Sequence, residues 1–470
     1  MIESVGSGAG SQGAQHLAPK AWERHVLRAG PHSVRTDGEL TTSEHAKKVE
    51  PWLSALLQAE FLGLLVGSGF TTAVAQKADA PALDMASVDF GCRYETAVNQ
   101  RAAVSAKRCA RGVPNLEDQI RAAGELIAGL GVLAMANVEG EHGDLSPNAA
   151  KLRQEWEDSL AQRLQEFAAH VLDTERSVAA VLGSDGEAGE RVRRLLGSFL
   201  LTFASRTASR ERLNLFTTNY DRILEYGCDM VGLRILDRFS GQMAPTFRAS
   251  RLGIDMHYSP PGIRGEPRYL EGVVRMTKVH GSIDWREVSS PMGSPDVVRC
   301  GVPFGAPSEH PAISGDPDSA MLIYPNATKD IETLEYPYAE LFRDFAAGVC
   351  QPNAVLFTYG YGFGDDHINR TIADMLTIPS THLAILSYDD ASGRIPAFCR
   401  RIGRDEQVTL LIGPHFGDLE TLVDNYLPKP AIDRTTWRMV DLISRRLPSA
   451  QPDSDTGGTA AVDPRGEADA

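Results

Sequence analysis

Five polar residues interrupt an apolar stretch in the segment LFTTNYDRILEYG, Leu215 to Gly227. Thr217, Thr218, Asn219, Tyr220 and Asp221 stand where a buried strand would pass into a helix. The amide of Asn219 both donates and accepts hydrogen bonds and cannot ionise, while the Asp221 carboxylate can accept from an amide. The same residue types also cap helices, so a plain N-cap is the competing explanation. A histidine, His280, precedes Gly281 and Ser282 in KVHGSIDW, where it can take up a proton near neutral pH or serve structure alone. Two glycine-rich turns complete the set. GSGFTT, with Gly67, Ser68, Gly69, Phe70 and Thr71, can bring backbone close to a phosphate at a helix N-terminus, or make an ordinary tight turn. Thr72 stands where the dinucleotide fingerprint requires a third glycine, which disfavours an ordinary Rossmann dehydrogenase. YGYGFGDDHIN supplies Gly360, Tyr361, Gly362, Phe363 and Gly364, then Asp365 or Asp366 as a helix cap. In Tyr388-Asp389-Asp390, Asp389 can receive a ribose hydroxyl.

These residues need elements to position them. Phe61 to Val66, Leu213 to Thr217, Ala354 to Thr358, Leu383 to Ser387 and Val408 to Ile412 are short apolar runs. Each is followed by glycine or polar residues and then a helical period, the signature of an α/β fold with a doubly wound parallel, Rossmann-like sheet covered on both faces. A helical insertion of about residues 90–205 lies between the first and second of these strands. Leu116, Ile120, Ala123 and Ile127 share one helix face, with Asn115 placed to cap it. Leu152 to Val171 and Val192 to Phe203 mark two further helices. The Arg-rich stretches Arg101 to Arg111 and Arg191 to Arg194 read as solvated helix faces. Residues 19–430 form the expected catalytic domain, followed by a helix over 431–448. The ends, 1–18 and 449–470, have little to bury and are expected to be disordered.

A net charge of −15 argues against a broad duplex-DNA surface, which needs clustered cations. The six cysteines are scattered without a CxxC pair, so neither a disulfide framework nor a structural zinc site is expected. The N-terminus lacks a signal-peptide pattern, and the longest apolar run, Leu126 to Ala136, is well short of the roughly 20 residues that span a bilayer. A cytoplasmic location is expected.

Taken in order, GSGFT, TTNYD, HGSIDW and GYGFGDDHIN resemble the sirtuin family, specifically its bacterial sirtuin-like branch. NLEDQI (115–120), DRFSG (237–241) and IYPNATKDIETLEYPYAELFRDF (323–345) resemble that branch too, and the likeness covers roughly residues 50–425. It implies that Gly67, Ser68, Gly69, Phe70 and Thr71 form the first nucleotide loop. Asn219 would face the nicotinamide ribose and Asp221 the nicotinamide amide, with Thr218 also in the cofactor site. His280 would be the catalytic histidine, and Gly360, Tyr361, Gly362 and Phe363 would hold the adenosine-side phosphate and ribose. Protein-deacylating sirtuins carry two zinc-binding CxxC pairs. Here the region after His280 holds Pro-rich loops and the YPN segment instead.

The implied substrate is NAD, with no metal. Its nicotinamide leaves as a neutral molecule without needing a proton, so no acid catalyst of the usual glycosidase kind is required. The resemblance therefore implies an NAD glycohydrolase releasing nicotinamide and ADP-ribose, acting as an NAD-depleting effector of anti-phage defence. It further implies a homo-oligomer or a separately encoded partner, such as a HerA-type DNA-translocating ATPase or an Argonaute-like protein. The insert would mediate assembly or lid the pocket. A zinc-free deacylase or ADP-ribosyltransferase, and a non-catalytic NAD or ADP-ribose sensor, are the alternatives.

Overall fold

Short apolar runs that are buried on both faces set the architecture. The computed structural model describes residues 22–81, 85–108, 112–135, 145–207, 209–249, 257–258, 268–288, 296–307, 310 and 336–429. The expected tails, the helix over 431–448 and most of the YPN segment lie outside the described residues. The compact unit carrying the elements below ends at Pro428.

An N-terminal hairpin, β1 (His25–Ala29) and β2 (His32–Thr36), precedes helix α1 (Thr42–Leu56) and strand β3 (Phe61–Val66). Helix α2 (Ser68–Lys77) follows directly. Next come α3 (Glu95–Arg108), α4 (Leu116–Met135), α5 (Leu145–Leu182) and α6 (Glu187–Ala204). Then come β4 (Leu213–Thr217), α7 (Ile223–Met230), β5 (Arg234–Leu236), β6 (Phe239–Ser240) and β7 (Thr246–Phe247). A small pair, β8 (His257–Tyr258) and β9 (Arg268–Tyr269), leads to β10 (Val273–Lys278), β11 (Trp285–Val288) and β12 (Asp296–Arg299). Strands β13 (Ala354–Tyr359), β14 (His382–Ser387) and β15 (Val408–Ile412) complete the set, separated by helices Asp366–Met375 and Arg394–Ile402.

The main sheet has nine strands in the order β2-β1-β15-β14-β13-β3-β4-β10-β5. From β15 to β5 all neighbours are parallel, so the doubly wound α/β class is observed. Strand order runs one way from β3 through β4 to β10 and the other way from β13 to β15. The chain thus reverses direction between β3 and β13, the place where such sheets bind ligands. Register aligns the strand ends: Val66 pairs with Tyr359 and with Thr217, and Thr217 with Lys278. Four adjacent strands therefore release Gly360, Gly67, Thr218 and the approach to His280 along one edge.

Four strands of this sheet, β1, β2, β5 and β10, escape the apolar-run pattern. Val273–Lys278 carries Arg275, Thr277 and Lys278 yet forms β10, paired on both sides between β4 and the edge strand β5. The hairpin β1–β2 adds antiparallel to β15, so Phe61–Val66 is not the first strand of the sheet but the first of its parallel part.

The helical insertion is present, and it divides in function. Val192, Leu195, Phe199 and Phe203 of α6 join Phe70, Phe357 and Tyr359 in the main core, so α6 is a covering layer of the sheet. Helix α5, 38 residues long, starts against α3 and α4 with Trp156, and its far end enters the main core at Val178 and Leu182. The opposite face of the sheet is closed by Phe216, Phe345, Ile368, Ile372 and Ile395. The region after His280 differs from expectation. β11 and β12 join β7 and β6 in a four-stranded antiparallel sheet rather than forming loops alone. It packs Phe239, Phe247 and Trp285 on Leu341, with Arg238 paired to Asp344 at 2.6 Å. Among the described residues, no helix is long and apolar enough to cross a membrane.

Candidate active site

The two glycine turns touch each other before they touch anything else. Gly67 N–H donates to Tyr359 O and Gly69 N–H to Gly360 O, both at 3.0 Å. A Cβ on Gly69 would stand 2.7 Å from the Gly360 Cα, and one on Gly360 would stand 2.6 Å from the Phe70 nitrogen. Gly360 also sits at φ +62°, where only glycine is unstrained. Glycine is therefore required here by turn-on-turn packing, whatever else approaches. Phe70 points into the core, its ring 5.3 Å from that of Phe199. Phe363 packs between Tyr361 and Phe398. These two aromatics anchor the turns from behind.

The polar turn after β4 is a directed network. Thr217 Oγ1 donates to Val66 O at 2.9 Å and accepts Asn219 N–H at 3.0 Å. Asn219 Nδ2 donates to Gly67 O and to Thr71 Oγ1, each at 3.0 Å. Thr71 Oγ1 in turn donates to Asp221 Oδ2 at 2.6 Å, and Asp221 Oδ1 accepts Ile223 N–H at the start of α7. A backbone carbonyl can only accept, so the amide orientation is fixed. The capping explanation thus holds for Asp221 and not for Asn219. Asn219 is only 6% exposed, and its Oδ1 is buried with no hydrogen-bond partner. Such an orphan costs about 1–3 kcal/mol unless a ligand fills it.

Below this turn lie paired charges. Lys278 Nζ donates to Glu225 Oε1 at 2.8 Å and also to Asp221 O. Arg222 and Glu175 form a buried pair at 2.6 Å that ties the turn to α5. Burial raises the Glu225 carboxyl above its ordinary range, against the pull of Lys278.

His280 follows β10 and faces Asp365, with Nε2 2.9 Å from Asp365 Oδ2. An ionised carboxylate only accepts, so Nε2 carries the hydrogen and Nδ1 is the basic nitrogen. The other oxygen of Asp365 accepts His367 N–H at 2.9 Å and Ile368 N–H at 3.2 Å, capping helix Asp366–Met375. One carboxylate thus caps a helix and orients the imidazole. Sequence shows the cap; the histidine bond joins residues 85 positions apart and leaves no local signal.

A cavity of about 220 Å³ opens between these groups. Gly67, Ser68 and Thr71 line it from the first glycine turn, and Thr218, Asn219, Tyr220 and Asp221 from the polar turn. His280 adds a third side, and Tyr361, Gly362, Gly364 and Asp365 a fourth. Met85, together with Asn115 and Glu117 at the start of α4, closes it; the sequence marks Asn115 as a helix cap and Glu117 only as part of NLEDQI, and Met85 not at all. Gly69, Phe70, Gly360 and Phe363 stand behind the lining. Asp389 is exposed, accepts Ala391 N–H in its own turn and does not line the cavity. Among the described residues, no group of three or more His, Cys, Asp or Glu is placed to hold a metal ion.

No protein-family model matches the chain, and no curated protein matches it.

Proposed function

We propose that this protein hydrolyses NAD to nicotinamide and ADP-ribose. One observation carries the reading: the orphaned Asn219 Oδ1 lies in the lining of a cavity that His280 shares, at the reversal point of the sheet. That oxygen can accept from a ribose hydroxyl or from the attacking water without adding charge. In the reaction the bond from ribose C1′ to the pyridinium nitrogen breaks, and its electron pair leaves with neutral nicotinamide. Water bonds to C1′, and His280 Nδ1 takes the proton released, its ring held by Asp365. The site need only exclude bulk water once substrate is bound and stabilise an oxocarbenium-like transition state.

The sirtuin-like motif order supports extending the proposal to NAD depletion in anti-phage defence. A homo-oligomer or a HerA-type partner belongs to the same extension. The direct test is incubation with NAD while nicotinamide is followed by mass spectrometry, for the wild type, Asn219→Ala and His280→Ala. Both variants should lose nicotinamide release while staying folded; wild-type turnover in either removes that residue from the mechanism. Cellular NAD measured with and without phage addresses activation by a partner.

A further inference from the structure

The first glycine turn brings two hydroxyls to the cavity, and they are placed differently. Ser68 is exposed, whereas Thr71 is buried. Both hydrogen bonds of Thr71 Oγ1 stay within the protein: it accepts from Asn219 Nδ2 at 3.0 Å and donates to Asp221 Oδ2 at 2.6 Å. A hydroxyl has a single hydrogen to give. The carboxylate takes it, so Thr71 turns a lone pair towards the amide. Asp221 is committed in the same way. Its Oδ2 holds Thr71, its Oδ1 caps α7 through Ile223 N–H, and the residue is only 4% exposed.

Two anchors fix the amide where one cannot. The bond to Gly67 O alone would leave the Asn219 amide free to swing about that contact. The second bond, to Thr71, fixes the plane of the amide as well, and with it the place of the unpartnered Oδ1 in the cavity lining. Asn219 Nδ2 and Asp221 Oδ2 lie within hydrogen-bond distance of the same hydroxyl. Without that hydroxyl, a buried donor and a buried acceptor lose a partner together, a cost that draws each towards the other. The amide then leaves its plane, and Oδ1 leaves its place with it.

We infer that Thr71 and Asp221 are positioning residues that act on the substrate only through Asn219. The carboxylate sets the direction of the hydroxyl, and the hydroxyl sets the amide whose oxygen meets the ribose or the attacking water. Neither residue reads the nucleotide itself, which departs from the roles that the sirtuin resemblance gives them. Within the first turn, the hydroxyl left for the nucleotide is that of Ser68. The inference rests on the NAD-cleaving reading and deepens it.

The test uses the full chain as wild type, Thr71→Val, Thr71→Ser, Asp221→Asn, Asn219→Ala and the double variant Thr71→Val with Asn219→Ala, with thermal unfolding to confirm each fold. Asn at position 221 can keep the helix cap with its carbonyl oxygen but then presents NH2 to Thr71 and reverses the relay, so it carries the comparison should Thr71→Val not fold. The kcat for nicotinamide release should fall about tenfold or more in Thr71→Val and Asp221→Asn, with KM within about threefold of wild type, and should recover to within about threefold in Thr71→Ser. Calorimetry with ADP-ribose, which is not consumed, gives the second readout. The double variant should bind it within about twofold of Asn219→Ala alone, because a residue that acts through Asn219 has nothing left to act through. A folded Thr71→Val protein whose kcat stays within about threefold of wild type, or a double variant that binds ADP-ribose more weakly than that limit, overturns the proposal while leaving NAD hydrolysis standing. Should the wild type release no nicotinamide, the hydrolase reading is what fails, and ADP-ribose affinity alone decides. Thr71→Val must then weaken it as Asn219→Ala does and add nothing on top of Asn219→Ala; any other pattern, including no binding by the wild type, overturns the positioning role too.

Discussion

Asn219 illustrates a residue kept against its own contribution to stability. Its Nδ2 makes two bonds, but its Oδ1 is buried without a partner. Replacement by alanine removes both the bonds and the orphan, and the two effects oppose each other. Asn219→Ala is therefore expected to abolish nicotinamide release while changing unfolding free energy by no more than about 1 kcal/mol, read by urea titration. Asp365 behaves differently. Asn at that position can still cap the helix with its carbonyl oxygen, but its NH2 then meets the His280 Nε2–H donor to donor. The imidazole must change tautomer, so Asp365→Asn should lower kcat by about two orders of magnitude or more and distort the pH–rate profile, with little change in melting temperature. Residue type alone was enough to single out Asn219, Asp221 and His280. It could not show that Asp365 faces His280, because that contact joins the loops after β10 and β13, which β3 and β4 separate in the sheet.

At the scale of elements, the two glycine turns work as one piece. A methyl group on Gly69 or Gly360 meets backbone atoms at 2.6–2.7 Å, and backbone cannot swing aside as a side chain can. Gly360→Ala should cost roughly 3 kcal/mol or more, from overpacking together with the positive φ, and should lower the melting temperature by several degrees. Gly129, inside α4, has nothing within 4 Å of the added carbon. There the same substitution should stabilise by about 0.5–1 kcal/mol through helix propensity. The five apolar strands and three helices of the insertion are legible in sequence because their burial is continuous or periodic. Strand β10 is not, because Lys278 and Arg275 are buried or half-buried through pairing with Glu225 and Glu211 rather than through apolar character. The four-stranded side sheet is equally hidden, since β6 and β7 have only two residues each.

For the whole molecule, histidines near the hairpin edge make stability depend on acid. Burial lowers the pKa of His25, His32 and His415, and takes His382 down to about 4. His382 lies against Thr409 and the edge of Trp52. The unfolded chain, with histidines near 6.5, takes up protons first as pH falls. Stability is thus intact above about 6.5 and lost between there and the folded values; His382 alone accounts for about 2 kcal/mol at pH 5. Urea midpoints should fall between pH 7.5 and pH 5, and His382→Gln should flatten that slope.

The same hairpin sets a timetable. Val26 finds its partner only when Ile412 exists, because β1 pairs with the last strand of the sheet. At roughly 5–20 residues per second, a ribosome leaves β1 waiting for tens of seconds. Until the ribosome has passed Gly360 and Asp365, the nascent chain lacks one wall of the pocket, which therefore cannot close on a nucleotide. A protein whose proposed product is a cell without NAD would thus be harmless until that point of its own translation.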